Sequence, residues 1–171
     1  MTIKKDKASF IMSYRRFYLG DIVQPFISDS SKFKGSNYYF YDLNAKMNWI
    51  ISEKDRLFLS GYLGKDVFKF SNSKDGFGMT TPSGNAIASL RWNHLFNEKL
   101  FSNTTISYTR YNFELGLEQD QFEFKLFSGI YDWNAKMDFN YLPSILHNIK
   151  FGCIIHVINL YQVTLLQNLE R

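Results

Sequence analysis

Proline is scarce, at three in 171 residues, so little in the chain interrupts extended, paired backbone. There is one cysteine, Cys153, which excludes an internal disulfide and a thiolate-cluster metal site. No run of about 18 apolar residues occurs, so no transmembrane helix is available. The three histidines, His94, His147 and His156, have no metal-ligand spacing to one another or to Cys153. Gly76-Phe77-Gly78 lies in a polar stretch with no helix after it, so it does not cradle phosphate. No nucleophile, base and acid assemble into a set, so neither an enzyme, a catalytic residue nor a cofactor is expected. The opening Met1-Thr2-Ile3-Lys4-Lys5-Asp6-Lys7-Ala8-Ser9-Phe10 has basic residues but no apolar core or small-residue cleavage site. It does not read as a signal peptide. The net charge of +4 is spread along the chain, which speaks against a nucleic-acid partner.

What the chain has is aromatic residues, 18% of the total, with 17 Phe and 11 Tyr. These favour strands. The clearest pattern is period-two alternation. Tyr39, Tyr41, Leu43, Ala45, Met47, Trp49 and Ile51 alternate with Asp42, Asn44, Lys46 and Asn48. Phe127, Gly129, Tyr131, Trp133, Ala135, Met137, Phe139 and Tyr141 alternate with Asp132, Asn134, Lys136, Asp138 and Asn140. Ala86, Ala88, Leu90 and Trp92 face away from Ser89, Arg91 and Asn93, with Ile87 the one mismatch. Only a strand separates such sets onto opposite faces. Further strands are expected over 9–18, 56–68, 100–115 and 149–157, about seven in all. In the returning strands Leu57, Leu59, Gly61 and Leu63 form one face, as do Leu100, Thr104, Ile106 and Tyr108.

A dozen residues span about 40 Å as a strand, more than the usual globular strand of about 5–6 residues. Tilted membrane strands need about 9–11. The segment Tyr41-Asp42-Leu43-Asn44-Ala45-Lys46-Met47-Asn48-Trp49 is nearly copied by Tyr131-Asp132-Trp133-Asn134-Ala135-Lys136-Met137-Asp138-Phe139. Each repeat reads strand, short turn, strand, long polar link. Short turns fall at 52–55, 96–99 and 143–148, and long links at 19–37, 69–85 and 116–123. Bacterial membrane barrels have this asymmetry, with short periplasmic turns and long extracellular loops. Trp49, Trp92, Phe139 and Tyr141 precede short turns, where an interface girdle of aromatics would lie. The expected class is all-β: an antiparallel up-and-down transmembrane β-barrel segment of about seven strands, an incomplete barrel.

Several stretches resemble the early barrel of TonB-dependent receptors of the Bacteroidetes type. They are Ser9-Phe10-Ile11-Met12-Ser13-Tyr14-Arg15-Arg16-Phe17-Tyr18, then Phe40-Tyr41-Asp42-Leu43-Asn44-Ala45-Lys46 with Asp55-Arg56-Leu57-Phe58-Leu59-Ser60-Gly61-Tyr62, and Leu90-Arg91-Trp92-Asn93-His94-Leu95-Phe96 with Lys99-Leu100-Phe101-Ser102-Asn103-Thr104. The likeness covers roughly residues 8–152. It implies an outer-membrane location, lipid around the barrel and a larger barrel enclosing a plug. In such receptors TonB supplies energy for solute uptake through the plug. The plug, its TonB-recruiting box and the remaining barrel strands are missing from this chain. Residues 1–152 are thus expected to be partial receptor barrel. Residues 153–171 form an atypical tail, continuously apolar from Cys153 to Val163, which a truncated or frame-shifted reading frame would explain.

The candidate sites follow from the faces. Asp42, Asn44, Lys46, Asn48, Arg91, Asp132, Asn134, Lys136 and Asp138 form a lumen-facing polar ladder. It either guides solute and holds the plug or simply lines a wet lumen. Arg15, Arg16 and Arg91 suit an anion or pairing with carboxylates. Trp49 and Trp92 suit sugar stacking or the interface. The stretch 69–84 would contribute to a ligand vestibule. A soluble lipocalin-like or small eight-stranded β-barrel that binds a ligand is the alternative, with the apolar face turned inward.

Overall fold

A computed structural model describes residues 7–28, 31, 34–72 and 75–168. The elements are β1 (Ala8–Phe17), α1 (Leu19–Val23), a 3-10 turn (Gln24–Phe26), β2 (Asn37–Ile50), β3 (Asp55–Asn72), β4 (Phe77–Asn97), β5 (Leu100–Gln119), β6 (Phe122–Ser144) and β7 (His147–Asn168). The seven strands form one antiparallel meander in the order β1 to β7. The sheet is not closed into a barrel. Its outer strands, β1 and β7, are edges.

The sheet is one layer, and it has no hydrophobic core. Among the described residues Val67, 8% exposed, is the one buried hydrophobic side chain. Accessible surface totals 12808 Å², against about 8,800 Å² for a compact protein of this mass. The excess comes from a single layer whose two faces both lie open among the described residues.

The strands exceed their expected bounds at the end away from the short turns. The long links expected at 69–85 and 116–123 are mostly paired backbone. β3 runs to Asn72 and β4 starts at Phe77, while β5 and β6 are joined by Asp120 and Gln121 alone. The reason for the difference is chemical. Ser, Thr, Asn and Gly interrupt β3 and β4 there, and the apolar residues change face. Phe70, Met79, Leu117 and Phe124 share one row on the side that is polar nearer the short turns, while the backbone ladder continues. Asp120 takes a φ of +53°, as a two-residue hairpin turn demands and Asp tolerates. The β4–β5 ladder skips Thr81 and Pro82, because proline brings no N–H.

The short turns match expectation and are tied by side chains. Ser52 Oγ donates to Asp55 at 2.7 Å and accepts from the Lys54 N–H at 3.1 Å. Asn97 Oδ1 accepts from the Lys99 N–H at 2.9 Å. Ser144 Oγ and His147 Nδ1 lie 2.8 Å apart. Successive turns are staggered. Asp55 opens β3 opposite His94, but β4 continues to Asn97 opposite Leu100. Leu100 is opposite Tyr141, but β6 continues to Ser144. Each hairpin therefore steps along the strand direction in the same sense, the stagger required of strands that tilt in a barrel wall.

β7 was expected over 149–157. It runs instead from His147 to Asn168 and passes Gly152 and Cys153 without a break. Residues 169–171 lie outside the described residues.

Candidate functional site

Register turns the alternation of single strands into two continuous faces. On the first, Ala8, Trp49, Leu57, Trp92, Thr104, Met137 and Cys153 form one row across all the strands. The next row is Phe10, Met47, Leu59, Leu90, Ile106, Ala135 and Ile155, and the next is Met12, Ala45, Gly61, Ala88, Tyr108, Trp133 and Val157. No charge occurs in these three rows. The rows are open, with Phe10 at 70% and Trp133 at 53% exposure.

Aromatic rings border this apolar band on both sides. Toward the short turns, Trp92, His94, Phe96, Phe139 and Phe151 make a line of ring contacts at 4.5–6.3 Å. Trp49 shares the row of Trp92, and Tyr141 stands beside Leu100 and Ile149. On the far side Tyr131 meets Tyr161 at 5.6 Å, and one row nearer the middle Tyr108 meets Trp133 at 4.7 Å. Tyr14 and Tyr41 occupy the same margin. The sequence reading picked out only the first border. The second was legible in the positions that share the parity of Trp133, but scattered tyrosines gave no single motif.

The opposite face is polar. All nine ladder residues lie on it. Asn48, Phe58, Arg91, Thr105 and Lys136 form one row, and Lys46, Ser60, Ser89, Ser107 and Asn134 the next. Asn44 and Asp132 share a third row through Tyr62, Ile87 and Thr109. Asp42 and Asp138 stand in rows on either side of this group.

Two of the ion pairs cross strands, Arg15 with Asp42 and His156 with Asp132, while Lys136 and Asp138 pair along β6. Arg15 holds Asp42 Oδ2 through Nε at 2.9 Å and Nη2 at 2.7 Å. Asp42 is 7% exposed, and Arg15 covers it while resting on the Phe40 ring at 4.9 Å. Asp132 meets His156 at 2.6 Å, and Lys136 meets Asp138 at 2.9 Å. The His156 contact was invisible in sequence, because it depends on the β6–β7 register. Trp49 and Trp92 lie on the apolar face, away from this polar one.

A second polar group sits at the first short turn, beyond the apolar band. Asp55 accepts from Trp92 Nε1 at 3.0 Å and lies 2.6 Å from His94 Nδ1. Its carboxyl is held below the ordinary carboxylate value, first by the hydrogen bond to His94 and then by that from Ser52. Among the described residues no three His, Cys, Asp or Glu side chains converge as a metal site. No helix there is long and apolar enough to cross a membrane, which says nothing of strands. No family model, curated protein or solved structure matches this chain.

Proposed function

We propose that this chain forms part of the wall of an outer-membrane β-barrel, the early barrel segment of a TonB-dependent receptor for energy-coupled solute uptake. One observation carries the reading: an uncharged apolar band, seven strands wide and covered by no other described residue, backs onto a polar face. In water each large side chain of that face left exposed forgoes about 1.5–3 kcal/mol of burial. About a dozen half-exposed ones forgo roughly 10–20 kcal/mol, as much as a whole domain's stability. Lipid removes that cost.

The dimensions agree with a bilayer. From Tyr41 to Ile51 the strand rises about 33 Å, or about 25 Å once tilted by ~40°. That is the height of the apolar band on such barrels. Aromatic borders at both margins and staggered turns support the same reading. The receptor assignment itself rests on the resemblance of the segments around residues 9–18, 40–62 and 90–104.

The seven strands do not transport alone in this account. Backbone edges in hydrocarbon must be paired, and β1 and β7 both need partners. These two strands run in the same direction. Antiparallel closure therefore requires an odd number of further strands. The polar face would then line the lumen against the plug, and TonB would act only through that plug.

Membrane fractionation with unheated and heated gel mobility tests the reading. Recovery with outer membranes and heat-modifiable mobility is expected when complementary strands are present. A monodisperse water-soluble chain that retains its strands would overturn it.

A further inference from the structure

The apolar face ends, on the side away from the short turns, in a row of different character. Arg16, Tyr41, Lys65, Gly84, Asn112, Gly129 and Tyr161 follow one another across the sheet. Arg110 stands one row below on β5, paired with Ala86 and Tyr131. Three cations thus sit on alternate strands β1, β3 and β5, all on the apolar face, each about 10 Å from the next in strand spacing. Their level is the boundary of the uncharged band.

Between the second and third lies a cavity of about 540 Å³, bordered by Tyr41, Lys65, Gly84, Arg110, Asn112 and Tyr161. Gly84 leaves its floor open, since a Cβ there would meet nothing nearer than 3.7 Å. Arg110 is fixed from two sides. Its guanidinium lies 5.5 Å from the Tyr131 ring centre. With the Asn112 amide oxygen turned toward it, Arg110 donates through Nη2 at 2.9 Å and Nε at 3.0 Å. The Asn112 nitrogen then donates to the Tyr161 hydroxyl at 3.1 Å. This leaves three guanidinium N–H bonds for a ligand. Glu114 also borders the cavity, within electrostatic reach of Lys125, whose direct partner is Glu123 at 2.6 Å. Among the described residues, neither Lys65 nor Arg110 is in an ion pair with a carboxylate.

We propose that this cavity binds the phosphate of an anionic lipid headgroup, with Lys65 and Arg110 as its cationic jaws and Arg16 flanking. The inference rests on the membrane-wall reading, which puts this row at headgroup level. A phosphate there is chelated between β3 and β5 while its acyl chains descend along Leu63, Ala86 and Ala88. Arginine offers paired donors to phosphate oxygens and lysine a point charge. The tyrosines supply hydroxyl donors at the same depth.

The test is partition of the full chain, refolded with the complementary strands that pair β1 and β7, into vesicles of phosphatidylcholine, with and without roughly one-third phosphatidylglycerol, read by flotation. Each surface cation contributes about fivefold to binding of an anionic membrane. K65Q/R110Q is therefore expected to lower the preference for the anionic vesicles by about 25-fold. K65R/R110K should restore it. R56Q/K150Q removes the same charge from the opposite face and should change it by less than about twofold. Equal losses from both glutamine pairs would overturn the site and leave only net charge. Displacement by millimolar inorganic phosphate would reassign the cavity to a free anion and overturn lipid as its occupant. Failure of every variant to enter neutral vesicles would instead overturn the membrane-wall reading, and the site with it. Normal entry into neutral vesicles without an anionic preference would overturn the site alone.

Discussion

Placing one arginine at successive depths on β2 separates a lipid-facing surface from any other apolar surface. Ala45 lies near the middle of the band, in the row of Gly61, Ala88 and Trp133. Tyr41 stands four residues toward one margin and Ile51 six toward the other, about 13 Å and 20 Å along the strand. A charge on a barrel's lipid face costs about 2–4 kcal/mol at the midplane and about 0–1 near the interfaces. Ala45→Arg should therefore lower partition into phosphatidylcholine vesicles by roughly 30- to 900-fold. Tyr41→Arg and Ile51→Arg should lower it by about fivefold or less. Ser89→Arg, on the polar face opposite Ser60 and Ser107, should be near neutral. Vesicle flotation across a urea series, with the strands that pair β1 and β7 present, reads all four. A flat depth profile, or a Ser89→Arg penalty equal to that of Ala45→Arg, would refute the reasoning. A protein core would also reject Ala45→Arg, but it would not restore tolerance at both ends of one face.

Three further outcomes are expected. A Cβ at Gly152 would overlap the backbone carbonyl of Met137 on β6, so Gly152→Ala should cost about 1–3 kcal/mol through overpacking. It should speed amide exchange in β7 more than in β2; equal exchange throughout would contradict the contact. Asp55 has a folded value below its ordinary 3.8, so its contribution is present above that value and lost as pH falls through the lower, folded one. Asp55→Asn should remove this acid-labile component, and an unchanged acid transition would refute it. Cys153 is exposed on the apolar face of the edge strand. A water-soluble maleimide should label it rapidly in urea and slowly in vesicles; equal rates would place that face in water.

The fold was legible wherever charge or amide groups alternate with apolar ones. In β2 and β6, Asp42, Asn44, Lys46 and Asn48, and later Asp132, Asn134, Lys136 and Asp138, leave no other period. The returning strands were harder, since Phe58 and Tyr62 put aromatics on the polar face. Even so, Leu57, Leu59, Gly61 and Leu63 fall on the same face as Thr104, Ile106 and Tyr108. The distal ribbons were not legible, because their apolar residues, Phe70, Met79, Leu117 and Phe124, move to the face that is polar nearer the short turns, and only the backbone pairing continues across the change. β7 hid for the opposite reason. Ile154, Ile155, Val157 and Ile158 are apolar on both faces, so periodicity stops while the strand does not. The cross-strand partners, Asp132 with His156 and Asp42 with Arg15, depend on register, which single-strand patterns do not contain. The cation row escaped notice because Arg16, Lys65 and Arg110 are scattered in sequence and gather only across alternate strands.

All three tryptophans of the chain lie on the apolar face, Trp49 and Trp92 near its short-turn margin and Trp133 in the row of Ala45 near its middle. Their fluorescence therefore reports directly on what that face touches. With the chain in vesicles whose acyl chains carry bromine, all three should be quenched, Trp49 and Trp92 most strongly by bromine placed near the headgroups and Trp133 by bromine placed deeper, while aqueous iodide quenches them weakly. Strong quenching by iodide and none by the brominated lipid would show the face in water or against protein, and would contradict the membrane-wall account.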